Sequence, residues 1–450
     1  MTTLPDRRTS HACLIGAAAI FSVGVTSPAY ADLAPAFVGK VTVDTGYVTG
    51  ATSATDIAFS GDGRALVTMK GGQLRLRKAD GTLTTIANPF GTVDSGSEKG
   101  LLGVVAHPTQ SNTFYFYVSN GTTNADKHRV YLGLLNADNT LTLDATPIIA
   151  ASRGLGPGLE GPANHDGGGL VIHDNKLYVS VGDTGFNASP PTNKYGSCLN
   201  KGNGKVLRVN LDGTIPSDNP LVGMPSVTGC NTPIGAWIDT APDPRVFAWG
   251  FRNPFRIWVD PATGLLWIGD VGEVTQEEIS VGQGNQHYGY PFEEGTRVWG
   301  NVDTKNCITL NPSRPCTPPV YSYPRSLGRA VTGGLIPDAC WSTTFNGTYY
   351  MFADSSQSWI KALPVNGGRT GVSSTTPIDF GTFANTPVSF RMGPDRSLYV
   401  VFNSGVVYRF TATSGCGDVS TVPTMPPVAV LALFVALGAL GLWFHRRRTR

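Results

Sequence analysis

Apolar and polar positions alternate in short runs along most of the chain, and the runs come in pairs joined by turns rich in glycine, aspartate and asparagine. This period of two residues between such turns is typical of β-hairpins. Six pairs recur, at 56–59 with 65–69, 100–106 with 113–118, 167–172 with 176–181, 255–259 with 265–269, 332–336 with 348–353, and 388–392 with 397–402. Most continue into a third run, at 73–77, 130–135, 206–210, 278–281, 359–363 and 405–410.

Six copies of one supersecondary unit predict an all-β fold, a six-bladed β-propeller. A β-helix would have a much shorter period, and a large sandwich would not repeat six times. We expect one propeller domain over residues 32–415. Its longest insertions are predicted to be surface loops that carry function, at 187–205, 216–245 and 295–326.

Polar residues interrupt the apolar pattern where loops lead into strands. The clearest interruption is Arg252-Asn253 in the run WGFRNPFRIWVD, because a charged group entering a core needs a partner. Others occur at Glu98, 164–166, 270–273 and 332–334. The innermost strands of a propeller line a central channel, so their ends converge on one face. We therefore expect several of these residues to share a pocket.

The amino terminus predicts a signal peptide over residues 1–31. Arg7 and Arg8 precede a short apolar stretch, and Ala29-Tyr30-Ala31 matches an A-x-A cleavage site. A membrane anchor is disfavoured because the apolar stretch is short for a span.

The carboxyl terminus carries a second targeting element. A linker at 416–427 precedes the apolar segment 428–444 and the basic tail 445–450, which the positive-inside rule would keep in the cytoplasm. With Pro423-Thr424, this tail resembles the IPTL-type sorting signals of Gram-negative bacteria. We predict a protein exported to the periplasm or cell surface and anchored to the inner membrane, or processed, through this segment.

Cysteine usage agrees with export. Of the seven cysteines, Cys13 leaves with the signal peptide, and the others contain no C-x-x-C pair, so disulfides are favoured over a thiolate metal site. Proximity in sequence predicts the pairs 198–230, 307–316 and 340–416. Without the terminal segments the net charge is about −3 and no basic stripe occurs, which disfavours nucleic-acid binding.

Five segments together resemble the soluble glucose/sorbosone dehydrogenase family over about residues 45–410. They are GLLGVVAHP at 100–108, NHDGGGLVIHDNKLYVSVGD at 164–183, GKVLRVNLDGTIPSDNP at 204–220, GFRNPFRIWVDP at 250–261 and IGDVGEVTQEEI at 268–279. The resemblance implies a six-bladed propeller that oxidises aldoses with pyrroloquinoline quinone (PQQ) and calcium. The hedgehog-interacting-protein-like branch shares these segments without established catalysis, so they specify the superfamily more firmly than the activity.

The resemblance also implies roles for single residues. His165 matches the general base, and a histidine suits that task because its ordinary pKa lies near working pH. Arg252 and Asn253 match residues that contact the quinone, Glu98 and Asn164 are assigned to the substrate, and the carbonyls of Gly272 and Glu273 to calcium. A purely structural role remains open for His165, in a glycine-rich turn, and for Arg252, on carbonyls at the blade ends.

The chain lacks the cationic residues with which the family binds the carboxylates of the cofactor. The glucose enzyme binds them with one lysine and two arginines in its last two blades. In this chain the segment aligned with the lysine, 354–357, contains no lysine, and the next lysine along the chain is Lys361. Thr386 and Val388 stand at the arginine positions. The family's proline is also replaced, by Glu273. Arg325, Arg329 or Arg391 are the candidates to substitute for the missing cations.

Two hypotheses from different classes follow. The first is an exported PQQ- and calcium-dependent dehydrogenase that oxidises a small-molecule sugar and passes electrons to a respiratory acceptor. The alternative is a surface-displayed propeller that binds carbohydrate or protein without catalysis. A calcium-dependent lactonase is a weaker third option, since it would need several carboxylate or amide ligands around one metal.

Overall fold

The computed structural model describes residues 31–185, 193–232, 235–295, 297–298 and 316–416. Within these ranges the chain forms six four-stranded antiparallel sheets and two small hairpins. The innermost strands of five of the six pairs of neighbouring sheets contact one another, and a shared apolar cluster joins the sixth pair, which closes a ring. The predicted all-β, six-bladed propeller is therefore confirmed.

The first two strands of the chain close this ring. β1 (Ala31–Leu33) and β2 (Val41–Val48) precede the first blade, yet they are the outermost strands of the last two blades. β1 pairs with the strand at 378–383 and β2 with the strand at 406–412. Backbone hydrogen bonds between the two ends of the propeller thus hold it shut.

Blades 1 to 3 run outward from the channel in chain order. Blade 1 contains β3 (Ala54–Phe59), β4 (Ala65–Met69), β5 (Leu74–Arg77) and β6 (Leu83–Ile86). Blade 2 contains β7 (Leu101–Ala106), β8 (Thr113–Ser119), β9 (His128–Leu135) and β10 (Leu141–Leu143). Blade 3 contains β11 (Leu170–His173), β12 (Lys176–Val181) and β13 (Lys205–Asn210), then the hairpin β14 (Val227–Cys230) and β15 (Trp237–Thr240), and its outer strand β16 (Val246–Trp249).

Blades 4 to 6 complete the ring. Blade 4 contains β17 (Pro254–Val259), β18 (Leu266–Asp270) and β19 (Gln276–Gly282), then the hairpin β20 (Glu293–Glu294) and β21 (Arg297–Val298), and its outer strand β22 (Tyr321–Pro324). Blade 5 contains β23 (Tyr349–Asp354), β24 (Trp359–Pro364) and β25 (Ile378–Phe383). Blade 6 contains β26 (Pro387–Met392), β27 (Leu398–Phe402) and β28 (Val406–Ala412).

The innermost segment of blade 5 differs from the sequence prediction. The strand expected at 332–336 is replaced by two isolated bridges, from Val331 to Asp354 and from Leu335 to Met351. Gly333 interrupts the pairing with φ 77°, a left-handed conformation that glycine tolerates. Among the described residues, helices are short: 3₁₀ turns at Pro35–Phe37, Asn124–Asp126, Ala151–Arg153, Tyr195–Ser197 and Ala339–Trp341, and α1 at Ser342–Phe345.

Within the described residues the buried hydrophobic side chains form seven clusters. Six of them lie one at each seam between neighbouring blades, and the small seventh surrounds the disulfide between Cys198 and Cys230. Leu66 and Phe114 pack together between blades 1 and 2, for example, and Val67 and Val401 pack between blades 1 and 6. Burial of apolar area stabilises each seam at roughly 25 cal/mol per Å². Because both faces of most blades are covered, many strands are buried along their whole length, as in β8, whose seven residues are all buried.

A buried ion pair fills the middle of the channel. Asp56 of β3 is fully buried, and Arg391 of β26 donates from Nε and Nη2 to its two carboxylate oxygens at 3.1 and 2.6 Å. Arg391 Nη2 also donates to the carbonyl oxygens of Val104 and Leu170, at 3.0 and 3.1 Å. Burial opposes ionisation of Asp56, but Arg391 and Arg256 lower its pKa overall. These donors of Arg391 therefore bind the inner strands of blades 1, 2 and 3 to blade 6.

Two of the predicted disulfides are confirmed. Cys198 pairs with Cys230, and Cys340 pairs with Cys416. Cys307 of the third predicted pair lies outside the described residues, as do the apolar segment 428–444 and residues 1–30 of the signal peptide predicted over 1–31, whose last residue, Ala31, begins β1. No helix within the described part of the chain is long and apolar enough to cross a membrane.

Candidate active site

The candidate site lies on the face where the inner strands begin. In an antiparallel blade, the loop before the inner strand and the loop between the second and third strands open on the same side. Four such loops contribute: residue 98 before β7, residue 165 before β11, residues 252–253 before β17, and residues 271–275 after β18. The breaks in the apolar pattern are thus explained by side chains at the channel mouth.

His165 sits in an unusual backbone conformation at this mouth. Its φ of 62° is left-handed, which is uncommon for a residue other than glycine and occurs often at functional sites. Its backbone N–H donates to Oε2 of Glu98 at 2.9 Å. Its ring Nδ1 lies 2.6 Å from Oδ1 of Asp183, and the side chain is about 10% exposed.

Asp183 is fully buried two residues after the end of β12, and its carboxylate accepts several hydrogen bonds. Asn193 Nδ2 donates to Oδ2 at 2.6 Å, the Gly185 N–H donates to Oδ1 at 3.0 Å, and the hydroxyl of Tyr290 also bonds to this carboxylate. A carboxylate with these neighbours accepts the proton of His165 Nδ1, so that Nε2 carries the lone pair. Nε2 has no hydrogen-bond partner among the described residues, which leaves it able to take a proton from a ligand.

Asp183 is the functional residue that the sequence prediction missed. Its signal was the Gly182-Asp183 pair that ends a buried strand of the resembling segment. A polar residue at a strand end has many structural uses, and nothing in the spacing pairs it with His165, 18 positions earlier.

Asn253 joins Glu98 to the histidine loop. Its Oδ1 accepts from the N–H of Gly167 at 3.2 Å, and its Nδ2 donates to Oε2 of Glu98 at 3.4 Å. Its backbone N–H donates to Oδ1 of Asp270 at 2.7 Å. Glu98 itself is exposed. The structure therefore brings Glu98, His165 and Asn253 together, with the Glu98 carboxylate facing solvent.

Asn164 lies beside the same group but with weaker contacts. It is half-buried and packs against Gly185, where a Cβ would come within 2.0 Å of Asn164 Oδ1. This close approach explains why a glycine follows Asp183-Thr184. The predicted substrate role of Asn164 stays a prediction.

Arg252 is held by the loop after β18. Its Nε donates to Oε2 of Glu273 at 2.5 Å, its Nη1 donates to the carbonyl oxygen of Val271 at 3.1 Å, and its backbone N–H donates to Oδ2 of Asp270 at 3.1 Å. The side chains of Arg252 and Glu273 are 13% and 24% exposed. Arg252 thus makes the carbonyl contact expected of a structural arginine, and it also forms an ion pair with Glu273.

The loop predicted to bind calcium has other partners. Arg325 Nη1 donates to the Gly272 carbonyl at 3.0 Å and to the carboxylate of Glu277 at 2.5 Å, while the Gly272 N–H donates to Glu277 Oε2 at 3.2 Å. No group of three or more His, Cys, Asp or Glu side chains within the described ranges is arranged to hold a metal. Calcium ligation by the Gly272 and Glu273 carbonyls stays a prediction.

Buried acids lie beneath this loop. Burial raises the pKa of Asp270 to about 7, although the N–H groups of Arg252 and Asn253 lower it, and burial raises the pKa of Glu278 well above its ordinary value. Both groups therefore carry less negative charge at neutral pH than their number suggests.

The segment aligned with the family's lysine contains a turn held by the buried Asp354 instead. Asp354 accepts from the hydroxyl of Tyr323 at 2.8 Å and from the N–H groups of Ala330 and Ser356 at 3.0 and 2.9 Å. Lys361 points along blade 5 to Asp379 of the neighbouring strand. Arg391 is bound in the channel and Arg325 to Glu277, so of the three candidates only the exposed Arg329 remains to replace a lost cation.

Comparison with known proteins places this site in a family. A family model for glucose/sorbosone dehydrogenases matches residues 52–336, which include every site residue described above from Glu98 to Arg325. The chain belongs to the glucose/sorbosone dehydrogenase family. The family assignment confirms the resemblance predicted from the five segments.

Two bacterial proteins named as sugar dehydrogenases are similar to this chain. The aldose sugar dehydrogenase YliI of Escherichia coli K12 is 25% identical over 364 residues, which cover 77% of this chain and 85% of that protein. Quinoprotein glucose dehydrogenase B of Acinetobacter calcoaceticus is 29% identical over 238 residues, which cover 49% of this chain and 46% of that protein.

Solved structures support the same fold. The apo form of the soluble aldose sugar dehydrogenase of Escherichia coli aligns with a TM-score of 0.62 at 22% identity, over 83% of this chain and 99% of that one. The PQQ-bound aldose sugar dehydrogenase of Streptomyces coelicolor aligns with a TM-score of 0.58 at 19% identity, over 82% and 98%. Identity this low shows the fold alone.

Proposed function

We propose that this protein is an exported oxidoreductase that oxidises an aldose, or an aldehyde derived from a sugar, to a lactone or acid. PQQ and calcium are the proposed cofactors, and a respiratory carrier is the proposed electron acceptor. The observation that carries the proposal is the His165–Asp183 pair, at 2.6 Å, opening beside Glu98 and Asn253. The names of the relatives, an aldose sugar dehydrogenase and a quinoprotein, support the choice of substrate class and cofactor.

The residues present fit the reactive end of PQQ. Bound PQQ would supply an acceptor for the hydride that leaves the sugar C1. Arg252 and Asn253 are the groups that would hold it, since a guanidinium and an amide can donate to quinone oxygens. Arg252 Nη2 has no hydrogen-bond partner among the described residues, whereas Nε is bound to Glu273, so a ligand that takes both donors must displace this carboxylate.

The carboxylate end of the cofactor fits less well. The family's three cations each contribute roughly 1.5–3 kcal/mol when they bond to a charged group. Without replacements, we expect this chain to bind PQQ much more weakly than its relatives do. For calcium, the Gly272 carbonyl would have to share its lone pairs with Arg325, whose positive charge opposes a divalent ion.

The protein's own part in the reaction is proton transfer and orientation. Nε2 of His165 accepts the proton of the sugar C1 hydroxyl, and the Asp183 carboxylate stabilises the imidazolium that forms. Glu98, which is exposed, is proposed to accept hydrogen bonds from sugar hydroxyls at the rim, and Asn164 is the second proposed substrate contact. Proton transfer to a positioned histidine contributes about 10²–10⁴-fold to such a rate.

The test is reconstitution of the exported chain. PQQ is titrated with calcium present, the cofactor's absorption spectrum is recorded, and a panel of aldoses is then added. The proposal expects saturable PQQ binding and a spectral change that follows addition of at least one aldose. Absence of PQQ binding at concentrations far above those that relatives need would refute it.

One observation favours the second candidate, a propeller that binds carbohydrate without catalysis. Glu273 neutralises Arg252, and Arg325, Lys361 and Arg391 are paired with other carboxylates. In that case the same titration yields sugar binding with no PQQ binding, and His165→Ala changes sugar affinity alone.

A further inference from the structure

Arg252 is paired with one carboxylate and feels the charge of a second. Glu273 Oε2 is 2.5 Å from its Nε, while Asp183 acts on it electrostatically and is joined to it through the backbone, the Asp183 N–H donating to the Arg252 carbonyl at 2.7 Å. Burial alone would lower the pKa of Arg252, but Asp183 and Glu273 together raise it overall. The guanidinium is therefore stabilised in its charged form by groups that also cancel its charge.

Glu273 occupies a fixed position. The carboxylate of Glu294 accepts from three consecutive backbone N–H groups of its loop, those of Glu273, Val274 at 3.0 Å and Thr275 at 3.1 Å. A loop capped in this way presents the Glu273 side chain to Arg252 with little freedom. The ion pair is thus a built contact and not a chance approach of two flexible surface chains.

The charges of this group do not favour an anion. With Asp183 and Glu273 ionised, the three side chains sum to a charge of about −1, although Arg252 is the group that would contact a quinone oxygen or carboxylate. A proline at position 273, as in the resembling family, would leave Arg252 without this partner. An anionic ligand must therefore compete with Glu273 for the guanidinium.

We propose that Glu273 is a positioning residue that restrains and neutralises Arg252 in the free protein, and that an anionic, quinone-type ligand binds Arg252 by displacing this carboxylate. The inference rests on the proposed function for the identity of the ligand, but the restraint itself is a property of the free protein. Glu273 thereby sets a threshold that only a ligand with strong acceptor oxygens overcomes.

The restraint is measured without any cofactor by arginine-selective labelling. Phenylglyoxal modification of Arg252 is followed by peptide mass spectrometry in the full exported chain, in Glu273→Gln and in Glu273→Ala. We expect Arg252 to react about fivefold faster or more in both variants, because a partly buried ion pair is lost. Arg325, which keeps its partner Glu277, is the internal reference.

Asp379→Asn is the matched control, since it removes a carboxylate from an exposed pair with Lys361 on blade 5. It should leave the labelling rate of Arg252 unchanged. Thermal melts establish that each variant is folded, and Glu273→Asp, which keeps the charge, should restore part of the protection. Equal labelling of Arg252 in wild type, Glu273→Gln and Glu273→Ala would overturn the proposal.

PQQ titration then separates the inference from the proposed function. Tighter PQQ binding by Glu273→Gln than by wild type, by about fivefold, supports displacement of the carboxylate. Faster labelling with no PQQ binding by any variant leaves the restraint established, refutes the displacement by a quinone, and defeats the proposed function. Unchanged labelling with saturable PQQ binding refutes the restraint while the proposed function stands.

Discussion

Asp183→Asn tests how the site makes His165 a base. In the wild type the buried carboxylate accepts from His165 Nδ1 at 2.6 Å, which leaves the lone pair on Nε2. The amide introduced by this substitution can instead donate to Nδ1, so the proton moves to Nε2 and the base is lost. The carboxylate also stabilises the imidazolium by a charge-assisted hydrogen bond. Since a positioned acid–base group contributes about 10²–10⁴-fold, we expect kcat to fall by at least about 10²-fold.

The assay is dye reduction by the PQQ- and calcium-loaded protein with a saturating aldose. Asn193→Ala is the matched control, because it removes the 2.6 Å bond to Asp183 Oδ2 and leaves the bond to His165 intact. Asn193→Ala should lower the free energy of unfolding by about 1–2 kcal/mol, as Asp183→Asn should, but it should change kcat little. If the two variants lose activity equally, or if Asp183→Asn retains full kcat, the assigned role of Asp183 is wrong.

Three further predictions concern stability. Burial, and secondarily Lys205, lowers the pKa of His287 to about 3 from an ordinary 6.5, so the histidine stays neutral in the folded state. The free energy of unfolding should therefore fall as the pH drops below 6.5, by about 2 kcal/mol at pH 5. In urea unfolding, His287→Gln should flatten this pH dependence. Arg391→Ala leaves Asp56 buried without its cation and should cost about 3–5 kcal/mol, measured in the same way; a loss below about 1 kcal/mol would contradict the structural role of the channel pair. Cys198→Ser with Cys230→Ser should lower the melting temperature while blade 3 still folds, because the bridge joins an insertion and not the sheet; loss of the β signal in circular dichroism would contradict this.

The blades were predictable because their information is local. Each hairpin shows short runs rich in apolar residues between tight turns, as in Ala65–Met69, whose five residues are all buried. The outer strands were not predicted. β6 is only partly buried and has little apolar pattern, and β2 pairs with β28 across most of the chain, a contact that depends on ring closure and leaves no local signal.

The residues of the candidate site also fall into those that the sequence predicts and those that it does not. His165 and Arg252-Asn253 were found because they interrupt apolar runs, and the fold brings His165 and Asn253 to a shared carboxylate on Glu98. Partners supplied by other loops were not predictable: Asp183 for His165, and Glu273 for Arg252. The fate of Arg391 also needed the structure, since a polar residue at a strand end can face the ligand or the channel.

The central claim is that His165 is the base of a PQQ-dependent sugar oxidation. It is tested most directly by the rate of aldose-dependent dye reduction by the exported chain with PQQ and calcium, compared between wild type and His165→Ala. The account predicts turnover by the wild type and a loss of about 10²-fold or more in the variant, at undiminished PQQ binding. Equal rates, or no PQQ-dependent reduction by the wild type, would contradict it.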